Sequence, residues 1–214
     1  MKRDPERVAR GLVARRPRDG VVYVQDPLVD AVSLRFSAVA ACGSETPLLL
    51  AIIAAFSASE GVRKDTGIIS WVRWPNAVTI EGRVVASSSA AVTRTAQGSW
   101  AQLDFRVNLL PTAKAGATSL YDELGVEVDS GILLEKILES LSWLHFGWSN
   151  GMHAQMLRRV VSMTETIGTK VLVRGRGAKA AGSVVDIDAL GRLTVQLAEG
   201  GTKKLEAPDE LLDS

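Results

Sequence analysis

Residues Ser70–Ser87, SWVRWPNAVTIEGRVVAS, decide how the rest of the chain is read. Val78–Ile80 and Arg83–Ala86 are rich in β-branched residues and flank Glu81-Gly82. A two-residue connection whose glycine supplies a positive φ predicts a tight β-hairpin there. Trp74-Pro75-Asn76 sits just before it, at the end of a strand expected to begin near Ile68.

The strand pattern extends to either side. Val21–Gln25 is β-branched and aromatic, and Ala31–Ala40 places Val32, Leu34, Phe36 and Ala38 in alternation with Ser33, Arg35 and Ser37. Asp26-Pro27 is expected to punctuate the two strands. Between them and the hairpin, Ser44 is the expected helix cap, with Pro47 in the first turn and an apolar face of Leu48, Leu49, Ile52, Ile53 and Phe56 running to Gly61. Beyond the hairpin, Trp100–Asn108 offers Trp100, Leu103, Phe105 and Val107 as core positions, so a mostly antiparallel sheet is predicted.

Over Thr118–Ile167 the period becomes helical. Leu133, Leu134, Ile137, Leu138, Leu141 and Leu144 lie behind a cap at Asp129 or Ser130, and Met152, Met156, Leu157, Val160 and Val161 continue the pattern after Gly151. These methionine and tryptophan stripes are read as packing. After Gly168 come short β segments, Thr169–Val173, Gly182–Ile187, Leu193–Leu197 and Lys203–Leu205, with turns at Arg174–Ala178, Asp188–Gly191 and Glu199-Gly200-Gly201. The expected organisation is a basic N-terminal segment (1–20), a core domain (21–167) and a C-terminal SH3-like domain (168–214), without internal repeats.

Composition narrows the function classes. Twenty-five basic against twenty-four acidic residues leave a net charge of +1, so no global field selects nucleic acid or an anionic membrane. Gly168–Ser214 alone has seven basic and seven acidic residues, which argues against a dedicated nucleic-acid module. The longest apolar run, Pro47–Phe56, is far short of the roughly 20 residues a bilayer-spanning helix needs. The basic first nineteen residues lack a following apolar stretch, so a cytoplasmic protein is expected. The single cysteine, Cys42, rules out an internal disulfide and reads as a small core residue. His145 and His153 have no cysteine or acidic cluster at ligand spacing, so no metal site is expected. Arg174-Gly175-Arg176-Gly177 reads as a hairpin turn and not as a phosphate cradle.

Several stretches, in chain order, resemble the biotin–protein ligases. Arg73-Trp74-Pro75-Asn76-Ala77 resembles that family's KWPND signature, and Val84-Val85-Ala86-Ser87 falls on its KIAG-type turn. Asn108 sits at the end of the GLNVN strand, Gly116–Leu120 matches a further stretch, and Gly182–Asp188 with Leu190–Leu193 resembles the small end domain. The whole looks like a degenerate, archaeal-type member. The resemblance implies an α+β fold, the mixed sheet with helices shared by class II aminoacyl-tRNA synthetases and biotin synthetases, plus a small C-terminal SH3-like β-barrel. It also implies an activity: biotin and ATP form biotinyl-adenylate, and the biotinyl group then passes to a lysine of a carrier protein.

The groups that would perform this chemistry are replaced. The family's GRGRxxRxW loop is expected after Val21–Gln25, but only Asp26–Ala31 intervenes, and none of these residues is Arg, Lys, Gly or Trp. Ala77 replaces the KWPND aspartate, and Val84 and Ser87 replace the lysine and glycine of KIAG. Shifting the register by one would bring Arg83 onto the lysine but would lose the Ile-Ala match, and arginine is no simple substitute for an ammonium point charge. Losing one preorganised electrostatic donor costs on the order of 10²–10³ in rate. No catalytic residue is therefore assigned. Arg73, Trp74, Asn76 and Asn108 are expected to be a vestigial ligand site, and Ala77, Val84 and Ser87 its degenerate positions.

The expected function is a non-catalytic binding or regulatory protein that needs no cofactor, with itself, an active ligase or a biotin carrier protein as partner, and neither nucleic acid nor membrane. The alternative is a working biotin or lipoate ligase that uses ATP, Mg²⁺ and biotin through Arg73, Asn76, Asn108 and Arg83. A third possibility is a different small-ligand pocket where the missing loop would have closed.

Overall fold

The hairpin of residues 77–95 supplies two inner strands of the first sheet. In the computed structural model, which describes residues 23–29, 32–96, 98–111, 114–174, 179–207 and 211–213, Glu81 and Gly82 both adopt positive φ (49° and 75°). That pair of angles is the turn whose twist matches the flanking strands. It joins β4 (Ala77–Ile80) to the long β5 (Arg83–Thr95). With β1 (Tyr23–Val29), β2 (Ser33–Cys42), β3 (Trp71–Arg73) and β6 (Gly98–Asn108) they form a six-stranded sheet in the order β1-β2-β6-β5-β4-β3.

Every ladder in this sheet is antiparallel. The parallel component of the expected mixed sheet is confined, among the described residues, to the isolated bridges Val72–Thr164 and Val84–Ala117. β1 also continues through Asp26-Pro27 to Val29, taking up the expected break as a register shift between Gln25 and Leu28. A bulge absorbs the extra residues without ending the ladder.

The alternation expected along β2 and β6 sets the two faces of the sheet. Leu34, Phe36 and Ala38 of β2 and Ala101, Leu103, Phe105 and Val107 of β6 point into the core, with Phe36 and Phe105 stacked at 4.5 Å. Trp100, expected in the core, lies on the opposite face and is 44% exposed, because Leu103, Phe105 and Val107 bury the odd-numbered residues. Val32 also lies outside the core.

Helix α1 (Pro47–Thr66) covers the core face, and α3 (Ser130–Ser149) packs on its far side, so α1 is buried from Leu49 to Val62. Thr46, not Ser44, caps α1, because it directly precedes Pro47 and its hydroxyl accepts the Leu49 N–H at 3.1 Å. Gly61 does not end the helix, which runs on to Gly67. A Cβ at Gly61 would lie 2.8 Å from the Ile137 backbone, so this glycine serves the close approach of α3. The short α2 (Leu120–Leu124) precedes α3, Asp129 caps α3 as expected, and α4 (His153–Ser162) packs against α3 and α1 through Met156 and Val160. Of the methionine and tryptophan stripes read as packing, Trp143 and Met152 stand out into solvent.

β7 (Lys170–Arg174), β8 (Lys179–Ile187), β9 (Leu193–Leu197), β10 (Thr202–Leu205) and β11 (Leu211–Asp213) form a second antiparallel sheet in the order β10-β9-β8-β7-β11. The turn expected at Arg174–Ala178 falls largely on residues outside the described set. Val173, Val184, Ile187, Leu193, Val195 and Leu205 belong to the same hydrophobic cluster as the first sheet.

The turn 188–192 joins the two sheets. The Asp188 carboxylate accepts bonds from the Leu190 and Arg192 backbone and from Arg192 Nε and Lys204 Nζ. Burial pushes the Asp188 carboxyl up, but the bonds from Lys204 and Arg192 and from the two backbone N–H groups outweigh it and hold the pKa at about 2. The turn so fixed lies against α1. The Thr46 hydroxyl donates to the Leu190 carbonyl at 2.6 Å, and a Cβ on Gly191 (φ 81°) would come within 2.6 Å of the Leu49 nitrogen.

Two outcomes follow for stability. Gly191→Ala combines left-handed strain with a backbone collision and is expected to cost at least about 2 kcal/mol in denaturant unfolding. Gly200→Ala, also at positive φ but facing open space, is expected to cost about 1 kcal/mol. The depressed Asp188 pKa contributes stability above the unfolded value near 3.8, and this is lost as pH falls through about 2. The gap in denaturant midpoint between the natural protein and Asp188→Asn is therefore expected to be full at neutral pH and to close across that window.

Candidate functional site

The residues of the Trp-Pro-Asn turn are held by the surrounding backbone. Trp74 is 4% exposed; its N–H donates to the Thr166 hydroxyl at 3.0 Å and its indole N–H to the Gly191 carbonyl at 2.9 Å. The Trp74-Pro75 peptide is cis. Asn76 locks onto β5 twice. Its amide donates to the Ser88 carbonyl at 2.8 Å, and its own carbonyl accepts the Ser88 N–H at 2.9 Å. The Ser88 hydroxyl continues to the Ala51 carbonyl of α1 at 2.8 Å. Arg73 turns the other way, donating from Nε to Glu165 at 2.6 Å and from Nη2 to the Gly82 carbonyl at 3.0 Å.

The KIAG-like segment begins beside a β-bulge. Val78 pairs with Ala86 and Thr79 with Val84, so Val85 is the extra residue and is fully buried. Val84 is half-buried and forms the parallel bridge with Ala117, donating to the Gly116 carbonyl and accepting from the Thr118 N–H, both at 2.9 Å. The Asn108 amide spans this bridge, 3.0 Å from the Thr118 carbonyl and 3.5 Å from that of Val84. Arg83 points away from the sheet face to Glu123 of α2 at 2.9 Å, and the Thr118 hydroxyl meets the same carboxylate.

The sheet face opposite the core carries a cavity of about 560 Å³, lined by Arg35, Ser37, Asn76, Ser87, Asp104 and Arg106 among others. Strand register sets its rows. Arg35, Arg106 and Ser87 lie side by side across β2, β6 and β5, and Ser37, Asp104 and Ser89 form the next row. The structure thus brings Asn76 and Ser87 to one cavity, while Arg73, Arg83 and the buried Trp74 serve other contacts. Arg35, Asp104 and Arg106 are not among the expected site residues. Asp104 and Arg106 could have been found by running GLNVN back from Asn108, which sets its glycine on Asp104 and its first asparagine on Arg106.

The remaining candidates are peripheral. Cys42 is half-buried at the end of β2, where burial, with a smaller contribution from the Glu45 charge, pushes its thiol up. His145 faces the Ala41 carbonyl, and His153 stacks on Trp148. Among the described residues no group of His, Cys, Asp and Glu could hold a metal ion, and no helix is long and apolar enough to cross a membrane.

The architecture has known counterparts. The Aquifex aeolicus biotin protein ligase in complex with biotin and ATP is 20% identical, with a TM-score of 0.71 over 95% of this chain and 93% of that one. A point mutant of the Aquifex aeolicus ligase in complex with biotin is 22% identical, with a TM-score of 0.67 over 84% of this chain and 76% of that one. A Silicibacter sp. TM1040 protein described as biotin protein ligase-like and of unknown function is 18% identical, with a TM-score of 0.69 over 95% and 90%. No family model and no curated protein matches the chain in sequence. The chain therefore has the α+β fold of the biotin protein ligases.

The bonds made by Asn76 and Asn108 set a measurable cost. Asn76→Ala leaves the buried-side Ser88 carbonyl without its amide donor and is expected to lower unfolding free energy by about 1–3 kcal/mol, read by chemical denaturation. Asn108→Ala is expected to fall in the same range, because it frees the Thr118 carbonyl.

Proposed function

We propose that this chain is a non-catalytic binding or regulatory protein built on the biotin–protein-ligase scaffold. One observation carries the reading: Arg83, the cation nearest the position that the resemblance gives to the KIAG lysine, is paired with Glu123 at 2.9 Å, and the residue that the resemblance puts on the lysine itself is Val84. An aliphatic side chain cannot stabilise the charge that develops as a carboxylate attacks a phosphate.

Three further features support it. β1 ends at Val29 and β2 begins at Ser33, which leaves no sequence length for an arginine-rich loop between these strands. Ala77 has no carboxylate to offer. The motif residues that persist, Trp74, Asn76 and Asn108, direct their side-chain N–H groups at backbone carbonyls, a structural duty independent of catalysis. The donor set also does not suit a triphosphate with Mg²⁺. Among the described residues that line the outer cavity there is no lysine, and their one carboxylate, Asp104, lies beside the arginines where phosphates would have to settle.

On this reading residues 21–167 carry the ligand face, and 168–214 brace the Trp-Pro-Asn turn from outside. A second copy, an active ligase or a carrier protein is the partner class the scaffold suggests. The opposing reading, a working ligase, draws on Arg73, Asn76, Asn108 and Arg83. A pyrophosphate-release assay with ATP, Mg²⁺, biotin or lipoate and a carrier domain separates the two. The expected trace is flat, and sustained release that Asn108→Ala abolishes would overturn the non-catalytic reading.

A further inference from the structure

The outer sheet face has an unusual charge arrangement. Arg35 and Arg106 are directly opposite one another in the β2–β6 register, which places two guanidinium groups within reach of one ligand group. Arg35 Nε donates to the Ser33 hydroxyl at 3.2 Å. The Arg106 guanidinium and the Ser87 hydroxyl beside it make no hydrogen bond or ion pair among the described residues, although both line the cavity. An anion lying over this row would meet the unused Arg106 and Ser87 donors. The planar guanidinium fork matches a carboxylate.

The next row limits what else the ligand can be. Asp104 Oδ1 already accepts from the Ser37 hydroxyl and from Gln102 Nε2 at 3.0 Å, whereas Oδ2 has only the Ser89 hydroxyl at 3.5 Å among the described residues. That distance leaves Oδ2 able to accept a shorter bond. A polyanion placed on the arginines would press its charge against this carboxylate, but a ligand with a cation at its other end would pair with it. Two residues along a strand separate the rows by about 6.8 Å.

Resting on the non-catalytic reading, we infer that this face binds a small zwitterion, with its carboxylate on Arg106, Arg35 and Ser87 and its ammonium on Asp104. The cavity of about 560 Å³ is of the size that holds such molecules. The site selects by charge separation, so an ω-amino acid with a short methylene spacer fits, and a nucleoside triphosphate does not.

The test is a calorimetric and NMR titration of the full chain with the ω-amino acids from β-alanine to 6-aminohexanoate, each against the fatty acid of equal length, at constant ionic strength. At least one amino acid is expected to bind saturably and at least about tenfold more tightly than its fatty acid. Asp104→Asn is expected to abolish that preference, and Arg106→Ala to abolish binding. Circular dichroism and thermal midpoints establish that both variants are folded, and Arg106→Lys is expected to retain partial binding. No saturable binding by any member, or equal binding of amino and fatty acids, overturns the inference. If pyrophosphate release is also absent in that case, the non-catalytic reading stands and only the zwitterion site falls. Sustained pyrophosphate release defeats that reading by itself, whatever the titration shows.

Discussion

The bond from the Trp74 indole to the Gly191 carbonyl is the contact on which the rest of the arrangement depends. A tryptophan N–H taken out of water must find an acceptor or forfeit most of what its ring gains by burial. The acceptor here comes from a turn of the second sheet. That turn reaches Trp74 only because Gly191 has no Cβ to strike the start of α1, and because Asp188 fixes its shape through Arg192, Lys204 and two backbone N–H groups. Thr46 completes the joint by capping α1 with one lone pair of its hydroxyl while donating the proton to Leu190. Three elements distant in sequence thus share one small contact, and the two sheets share one core.

This joint gives the Trp-Pro-Asn turn a structural role. Each polar side-chain donor of Trp74 and Asn76 has a backbone partner that the fold would otherwise leave unsatisfied. Asn108 is alike, since it ties the bridge that orients Val84 and Thr118. Ala77 and Val84, both in the β4–β5 ladder, require nothing of the fold beyond a strand-compatible side chain.

The two faces of the first sheet have separate roles. One is closed by α1 and carries the stacked Phe36 and Phe105. The other is polar, with two arginines, an aspartate and serines in adjacent rows. Side-chain alternation produces both at once, so the polar face could change its charge pattern without disturbing the packing beneath it.

Much of this was determined by the chain alone. The Glu81-Gly82 hairpin, the Asp129 cap and the buried Leu103, Phe105 and Val107 of β6 are each legible within a few residues, because turn dihedrals, capping and side-chain periodicity are local properties. The cap of α1 lies two residues beyond the expected Ser44, since Ser44 and Thr46 are both good caps and only the position of Pro47 in the folded helix separates them. Trp100 lies outside the core where the pattern suggested burial, because its alternation with Leu103 and Phe105 sends it out. What the sequence could not contain is adjacency. That Arg35 faces Arg106, that Gly61 admits Ile137, and that Trp74 finds Gly191 depend on strand register and packing distance, which are settled only when remote segments compete for the same space.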